Sequence, residues 1–211
     1  MFQMPPRTRA HVKGSRLTDW DARCDTCRMP SDRCLCDQLP RVANRARVLV
    51  VMHVFEVWKT TNTGVLATRC LANADVALTG VRERAEPTLT IDDDAPAFVL
   101  FPSEDARPIS TLPTSGPLTL VVPDGNWRQA RKLTSRVPAL SLLPRVRLDD
   151  TATTGYALRT STHPSRTSTM EAIAHALAVT EGTAARDALL SVFREMVART
   201  LAARGQSARA M

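Results

Sequence analysis

Four cysteines near the amino terminus are the densest group of chemically capable side chains in the sequence. They form a Cys-x-x-Cys pair and a Cys-x-Cys pair with six residues between them, at Cys24, Cys27, Cys34 and Cys36. Four thiolates on two tight turns can close a tetrahedron around Zn²⁺ at Zn–S distances of about 2.3 Å, with no open position. This spacing predicts a structural zinc site whose binding free energy folds a short segment. Four reduced cysteines without metal and an iron–sulfur cluster are the alternatives.

A second candidate site follows the apolar run 118–122, which ends in the turn sequence PDGNW. Ligands of open parallel sheets bind outside the carboxyl ends of the strands, where this turn places Asp124. Gly125 allows close approach to the backbone, and Trp127 offers a flat apolar face. Desolvation would raise the proton affinity of Asp124 and make it a candidate base. From these residues alone, a helix-capping aspartate followed by a core tryptophan is the alternative.

The elements that must position these residues alternate along the chain, as is typical of an α/β domain with a mainly parallel sheet. Predicted strands are 47–52, 75–79, 97–101, 118–122 and 145–148. Predicted helices are 64–72, 126–134, 169–179 and 184–203, with a short turn at 104–106. Ser168 and Glu171 form a capping box that fixes the start of the third helix. The segments 86–96 and 107–117 are predicted to be surface loops.

Length and hydropathy predict a soluble, cytoplasmic protein with one catalytic unit and no membrane partner. The chain has 211 residues, enough for one well-buried domain. No apolar run approaches the ~20 residues of a spanning helix, and residues 1–15 lack the apolar segment of a secretory signal. We expect a flexible basic arm at 1–18, a zinc-binding element at 19–40 and a catalytic domain at 41–211.

The positive charge lies mostly in the chain ends. The net charge is +7, and six cations lie in residues 1–18 and 204–211, which contain no acidic residue, so the body is left with +1 (7 − 6). Those six are Arg7, Arg9, Lys13, Arg16, Arg204 and Arg209. The charge therefore favours an RNA partner through an arm that binds phosphates. A solubilising tail is the alternative.

Several motifs, in order along the chain, resemble the DTW-domain family. Asp124-Gly125-Asn126-Trp127 resembles its Asp-x-Thr-Trp signature, and the cysteine cluster is similar to its amino-terminal metal motif. Further matches are HVFE at 53–56, TNTG at 61–64, LFPSEDA at 100–106, YALR at 156–159 and STMEA at 168–172. Asn126 replaces the signature threonine, and Val54 replaces the usual proline. Asn126 can still cap the following helix by reaching Gln129 or its amide.

The resemblance implies an RNA-modifying enzyme with a SPOUT-like fold. It implies a mainly parallel sheet with helices on both faces, a carboxy-terminal trefoil knot and a small zinc element with four cysteine ligands. The implied reaction transfers the 3-amino-3-carboxypropyl group of S-adenosylmethionine to N3 of a uridine in tRNA, leaving methylthioadenosine. The enzyme must align N3 with the correct carbon and remove a proton from a weakly acidic imide.

The same resemblance assigns roles to individual residues. Asp124 is the candidate base and Trp127 the second catalytic residue. The implied S-adenosylmethionine site consists of Leu100, Pro102, Ser103, Asp124, Gly125, Trp127, Ser168 and Thr169. Helix amino termini at Ser103 and Ser168 would offer N–H groups, although either serine can be a simple cap. The residues expected to contact the uridine or RNA are His53, Glu56, Asn62, Arg128, Arg131, Lys132 and Arg159.

Three rival functions are kept open by the sequence. A SPOUT-like methyltransferase would use the same pocket and transfer the methyl group instead. A non-enzymatic zinc-containing RNA-binding protein would suit the cysteines and the basic arm, but leaves the Asp124 turn unexplained. An rRNA substrate is the third. The target uridine and the oligomeric state are left open as well.

Overall fold

The computed structural model describes residues 22–80, 91, 95–149 and 167–206. The strands in these ranges are β1 Arg47–His53, β2 Ala74–Thr79, β3 Ala97–Leu100, β4 Arg107–Pro108, β5 Thr119–Asp124 and β6 Arg145–Arg147. The helices are α1 Thr63–Cys70, α2 Trp127–Arg136, α3 Pro138–Ser141, α4 Thr169–Glu181 and α5 Thr183–Ala203. Short 3-10 helices lie at Ser31–Arg33, Cys36–Gln38 and Ile109–Thr111.

The strands form one parallel sheet in the order β2-β1-β5-β3-β6-β4. Met52 near the end of β1 pairs with Leu78 of β2 on one side and with Asp124 of β5 on the other. The carboxyl ends of the central strands therefore lie level along one edge. In an open parallel sheet this edge is where ligands bind.

Helices cover both faces of the sheet, which explains why its central strands are apolar without alternation. Val48 and Val50 of β1 face the layer that contains α1, α4 and α5. Leu49 and Val51 face the opposite layer, which contains α2 and α3. The predicted α/β architecture with helices on both faces is confirmed. In the described part of the chain, no helix is both long and apolar enough to cross a membrane.

The predicted strands and helices are confirmed with small shifts at their ends. β5 continues through Pro123 to Asp124, beyond the end of the apolar run that defined the predicted strand. The prediction of a surface loop at 107–117 is wrong, because β4 and a 3-10 helix lie there and Ile109 is fully buried. The short helix α3 was missed, although Pro138 stands at its first turn, where proline is favoured.

Some predictions fall on residues outside the described ranges. They are the basic arm at 1–18, most of the loop at 86–96, and the motif YALR at 156–159 with Arg159. Residues 150–166 lie outside the described ranges as well, and the trefoil knot stays a prediction.

Candidate functional site

Asp124 ends the central strand β5 and is almost fully buried, with 5% of its surface exposed. Its Oδ2 accepts a hydrogen bond of 2.7 Å from the Asn62 side-chain amide, and its Oδ1 accepts one from the Thr169 hydroxyl. Asn62 and Thr169 belong to the amino ends of α1 and α4, so the carboxylate joins two helices to the sheet. Asp124 does not cap α2, because Asn126 is the N-cap residue of that helix. The helix-capping alternative is therefore wrong.

Three helices begin around this carboxylate. α1 is capped by Asn62, whose Oδ1 accepts from the Val65 amide at 2.7 Å, while α2 and α4 begin at Trp127 and Thr169. Gly64 in the first turn of α1 leaves room for the acid, because a Cβ there would lie 3.1 Å from the Asp124 Cγ. Helix amino termini carry partial positive charge and stabilise anions. The amino ends of α1 and α4 therefore place hydrogen-bond donors and partial positive charge beside Asp124.

A second buried carboxylate, Glu56, connects the loop after β1 to α2. Its Oε1 accepts a 2.6 Å hydrogen bond from the Gln129 side-chain amide, and its Oε2 lies 2.6 Å from the Lys59 ammonium. The Oε1 of Gln129 accepts from the Asn126 amide at 2.8 Å, and Asn126 Oδ1 accepts from the Gln129 amide at 3.0 Å. The predicted cap by Asn126 is confirmed. Glu56 and Asn126 thus hold the amino end of α2 from two directions.

Aromatic rings lie on the turns after three adjacent strands. Trp127 is 42% exposed, and its ring centroid lies 5.3 Å from that of Phe101, which follows β3. The core-tryptophan alternative is therefore wrong. After β1, the rings of His53 and Phe55 lie 4.9 Å apart. The site edge thus carries exposed ring surface beside its buried polar network.

The residues predicted to bind S-adenosylmethionine lie on the turns after β3 and β5 and at the start of α4. Leu100 is buried, whereas Pro102 is exposed, and Gly125 has a φ of 148°. Ser103 begins a turn closed by a 3.0 Å bond from the Ala106 amide to its carbonyl. This confirms the predicted turn at 104–106, and the helix terminus expected at Ser103 is wrong.

Ser168 is the N-cap of α4, and its side chain is buried. Its hydroxyl accepts from the Glu171 amide at 3.2 Å, and its own amide donates to Glu171 Oε2 at 2.7 Å. The predicted capping box is confirmed. The Ser168 hydroxyl thus fixes the start of α4, which presents the Thr169 hydroxyl to Asp124.

The predicted RNA-contact residues divide into two groups. Arg128, Arg131 and Lys132 are exposed on α2, which also carries Arg136 and no acidic residue. His53, Glu56 and Asn62 belong to the loops beside Asp124, with Glu56 only 3% exposed. Asn62 donates to both Asp124 Oδ2 and the Glu56 carbonyl oxygen, whereas His53 lies over Gly80, next to β2. The first group forms a cationic face that starts next to Trp127.

The four cysteines converge as their spacing predicts. The Sγ atoms of Cys24 and Cys36 lie 3.4 Å apart, those of Cys27 and Cys34 lie 3.7 Å apart, and all four lie within 4.8 Å of one another. A tetrahedron with Zn–S bonds of about 2.3 Å has S–S edges of about 3.8 Å. The cluster could therefore hold a metal ion.

The electrostatics of the cluster also suit a cation. Burial acts to raise the pKa of Cys24, but hydrogen bonds from the Cys27 and Thr26 amides and from neighbouring thiols lower it to about 7. Burial, followed by the neighbouring Cys24 and Cys34 thiols, raises the pKa of Cys36. The protein groups alone therefore do not support four thiolates together. A bound divalent cation would supply the missing positive charge.

The cysteine element packs into the main core. Met29 and Leu35 are buried in the same cluster as β1 and α5. Arg199 of α5 donates to the Cys34 carbonyl oxygen, and the Arg28 guanidinium lies 5.0 Å from the Trp58 ring centroid. Cys70 is apart from the cluster, and burial raises its pKa to about 12. Cys70 is an ordinary core residue.

Sequence reasoning missed four features of the site. They are Phe55, Lys59, Gly64 and the contact between Gln129 and Glu56. The Asn-x-x-Gln spacing at 126–129 indicates that Gln129 takes part in capping α2. Its hydrogen bond to Glu56 joins residues 73 positions apart, and no local sequence pattern indicates it.

The fold and the site define an α/β domain with a parallel sheet and a polar site at the carboxyl ends of its central strands. The DTW domain family model matches residues 21–201. This range covers most of the chain and includes both the cysteine cluster and the Asp124 site. The chain belongs to the DTW-domain family.

Curated relatives match the same region. The chain is 29% identical over 168 residues to tRNA-uridine aminocarboxypropyltransferase 2 of Drosophila melanogaster, covering 75% of this chain and 66% of the fly protein. It is 24% identical over 167 residues to the Mus musculus protein of the same name, covering 75% and 56%. The chain thus spans between 56% and 66% of the length of these relatives. No solved structure matches it significantly.

Proposed function

We propose that this chain transfers the 3-amino-3-carboxypropyl group of S-adenosylmethionine to N3 of a uridine in tRNA. Family membership and the names of the matched relatives support the reaction class. The parallel sheet supports a SPOUT-like fold, and the carboxy-terminal knot belongs to the same proposal. We place the protein in the cytoplasm, with an arm at 1–18, a zinc element at 19–40 and a catalytic domain at 41–211.

The observation that carries this proposal is the position of Asp124. A buried carboxylate lies at the carboxyl end of the central strand, where three helices begin, and is oriented by Asn62 and Thr169. Asp124 accepts the uridine N3 proton as N3 attacks carbon. Asn62 and Thr169 keep the carboxylate in a fixed position, so that it both orients the uridine N3 and takes its proton.

The Ser103 side chain fits S-adenosylmethionine as the co-substrate. Its hydroxyl oxygen is buried and has no hydrogen-bond partner of normal geometry among the described residues. The same hydroxyl lowers the pKa of the Asp105 carboxyl, which lies close to it. Its oxygen lone pairs therefore suit a donor group of the ligand.

The other residues of this edge complete the surface for the co-substrate. Gly125 and the exposed face of Trp127 lie after β5, and Pro102 lies after β3 with Leu100 below it. Ser168 holds Thr169 in place. The bound sulfonium compound supplies the activated carbon and the methylthioadenosine leaving group. The protein supplies orientation and takes the proton.

The RNA is held by charge and by the loop after β1. Arg128, Arg131 and Lys132 on α2 contact phosphates, as does Arg159, which lies outside the described residues. His53, Glu56 and Asn62 form the polar wall beside the uridine, where Glu56 acts by fixing α2 through Gln129. The arm at 1–18 adds further phosphate contacts.

The cysteine cluster holds one structural Zn²⁺. The Sγ separations of 3.4 Å and 3.7 Å lie close to the ~3.8 Å edge of a tetrahedral site, and four protein ligands leave no open position for chemistry. The metal stabilises an element that packs on α5 through Arg199 and, through Arg28, on Trp58 of the turn after β1. Zinc therefore serves the fold.

Mass spectrometry of tRNA nucleosides from cells with and without this gene tests the proposed function. We expect aminocarboxypropyluridine to disappear when the gene is deleted and to return with the wild-type gene. Loss of a methylated nucleoside instead would identify a methyltransferase. An unchanged nucleoside profile for tRNA would contradict the proposal.

A further inference from the structure

Phe55 is an exposed aromatic residue on a turn that is otherwise buried. Residues 54–58 form the turn after β1; Val54, Glu56, Val57 and Trp58 are all at most 8% exposed, but Phe55 is 48% exposed. Burying a phenylalanine side chain stabilises a folded protein, because apolar surface leaves water. This turn forgoes that stabilisation at the residue next to Glu56. The ring is therefore presented to solvent at the edge of the candidate site.

The backbone beneath the ring is held firmly. The Val54 amide donates to the Thr79 carbonyl at 2.9 Å, a bond that proline at this position could not make. The Glu56 amide donates to the His53 carbonyl at 2.8 Å, and the Glu56 carboxylate is fixed by Lys59 and Gln129. The exposure of Phe55 is therefore a built feature of the turn.

The ring also has a support. Its centroid lies 4.9 Å from that of His53 with a tilt of 42°, and the Phe55 amide donates to His53 Nδ1 at 3.3 Å. His53 occupies the space over Gly80, where a Cβ would lie 2.2 Å from Nε2. Gly80 thus makes room for the imidazole, and the imidazole backs the phenyl ring. The exposed half of Phe55 is accessible to a ligand.

The surroundings indicate which ligand fits. Gln129 links Phe55's neighbour Glu56 to the helix that begins at Trp127, so the two exposed rings flank one hydrogen-bonded bridge. The same helix carries four cations and no acid, which matches a polyanion. Unpaired RNA bases stack on exposed aromatic side chains while cations hold the backbone. A uridine whose N3 reacts cannot be in a Watson–Crick pair, so the substrate is open at that position, and an unpaired base beside it could stack on a ring.

We infer that Phe55, backed by His53, is a stacking platform for an unpaired RNA base that flanks the target uridine. This inference rests on the proposed function and deepens it. The enzyme then recognises an open, single-stranded segment. Two rings divide the work: Trp127 lies beside the reactants, and Phe55 holds the adjacent base.

Binding of a short single-stranded RNA with 2-aminopurine next to a central uridine tests the platform without any transfer. Stacking on Phe55 should quench the 2-aminopurine fluorescence. Phe55→Leu should abolish the quenching and weaken binding by about tenfold, because base–aromatic stacking is lost. Phe55→Trp, which keeps a ring, should preserve both. Leu142→Ala, at a surface leucine that is 85% exposed, is the matched control and should bind as wild type does.

The outcomes separate this inference from the proposed function. The stacking platform would be overturned if Phe55→Leu quenched the fluorescence and bound RNA as wild type does. It would also be overturned if the variant bound S-adenosylmethionine more weakly but RNA equally well. Thermal melting checks that each variant folds, and Phe55→Trp gives a second test should Phe55→Leu unfold. If the quenching depends on the Phe55 ring but cells with this gene contain no aminocarboxypropyluridine, the stacking platform stands and only the proposed function is contradicted.

Discussion

The cysteine element and the Asp124 site differ in how far along the chain their members lie. Four thiols within thirteen residues, 24–36, form the first. The second joins Asn62, Asp124 and Thr169, with separations of 62 and 45 residues. Local spacing alone brings the thiols together, whereas the site at the sheet edge exists only after the strands pair. Changes to the two regions should therefore have different consequences: loss of fold in one and loss of chemistry in the other.

The largest expected effect is on stability, in the cysteine element. Replacing Cys24 and Cys27 with serine should remove the metal and unpack Met29 and Leu35 from the core. We expect a loss of about 3 kcal/mol or more, or at least ~6 °C in Tm. Elemental analysis and thermal melting measure both. Cys70→Ser is the matched control: it should destabilise the core but keep one zinc per chain. A zinc-free wild-type protein, or an unchanged Tm in the double variant, would contradict the zinc proposal.

Two tryptophans of different burial sharpen the comparison: Trp127 at the Asp124 site, and Trp58, on which the cysteine element packs through Arg28. Trp127→Ala should weaken S-adenosylmethionine or tRNA binding by about tenfold. It should lower stability by only about 1 kcal/mol, because the ring is 42% exposed. Trp58→Ala removes a buried ring beside Arg28 and should cost roughly 3–5 kcal/mol. Ligand titration and melting of both variants give the answer. Equal destabilisation by the two would remove the distinction between the regions.

A smaller effect is expected for the link between Glu56 and α2. Gln129→Met keeps the size of the side chain but loses the bond to Glu56 and half of the capping box, at a cost of about 1 kcal/mol. Turnover should fall about tenfold, with a smaller rise in KM than Trp127→Ala produces, because Trp127 shifts from its aligned position but keeps its ring. Steady-state kinetics measures the split. Lys59→Met removes the other partner of Glu56 and should affect kcat less; the reverse order would show that α2 is positioned by other contacts.

The sequence predicted best what depends on local patterns. The capping boxes at Asn126 and Ser168, the cysteine geometry and the main strands all follow from short-range spacing or apolar runs. Buried Ile109, by contrast, lies in a segment rich in turn residues, and only its position at the sheet edge buries it.

The details of the candidate site needed tertiary information. The aspartate and tryptophan were found from their place after an apolar strand, but their partners were not. Asn62 and Thr169 reach Asp124 only because α1 and α4 pack on the same face of the sheet. The exposure of Trp127 and Phe55 depends on the tertiary hydrogen bonds that hold α2 and the turn after β1. No periodic pattern in the sequence indicates those hydrogen bonds.

Single-turnover transfer of a labelled aminocarboxypropyl group to tRNA tests the central claim, that Asp124 takes the N3 proton. Asp124→Asn should reduce the rate by about 10² or more, with S-adenosylmethionine binding retained. Thr169→Val removes a hydrogen bond to the carboxylate but leaves the base, so it should reduce the rate far less. Thermal melting of both variants shows how much stability each change costs, so that a loss of folding is not mistaken for a loss of the base. If Asp124→Asn transferred the group at the wild-type rate, the claim would be contradicted, and the role of Asp124 would be the structural one of linking α1 and α4 to β5 by hydrogen bonds.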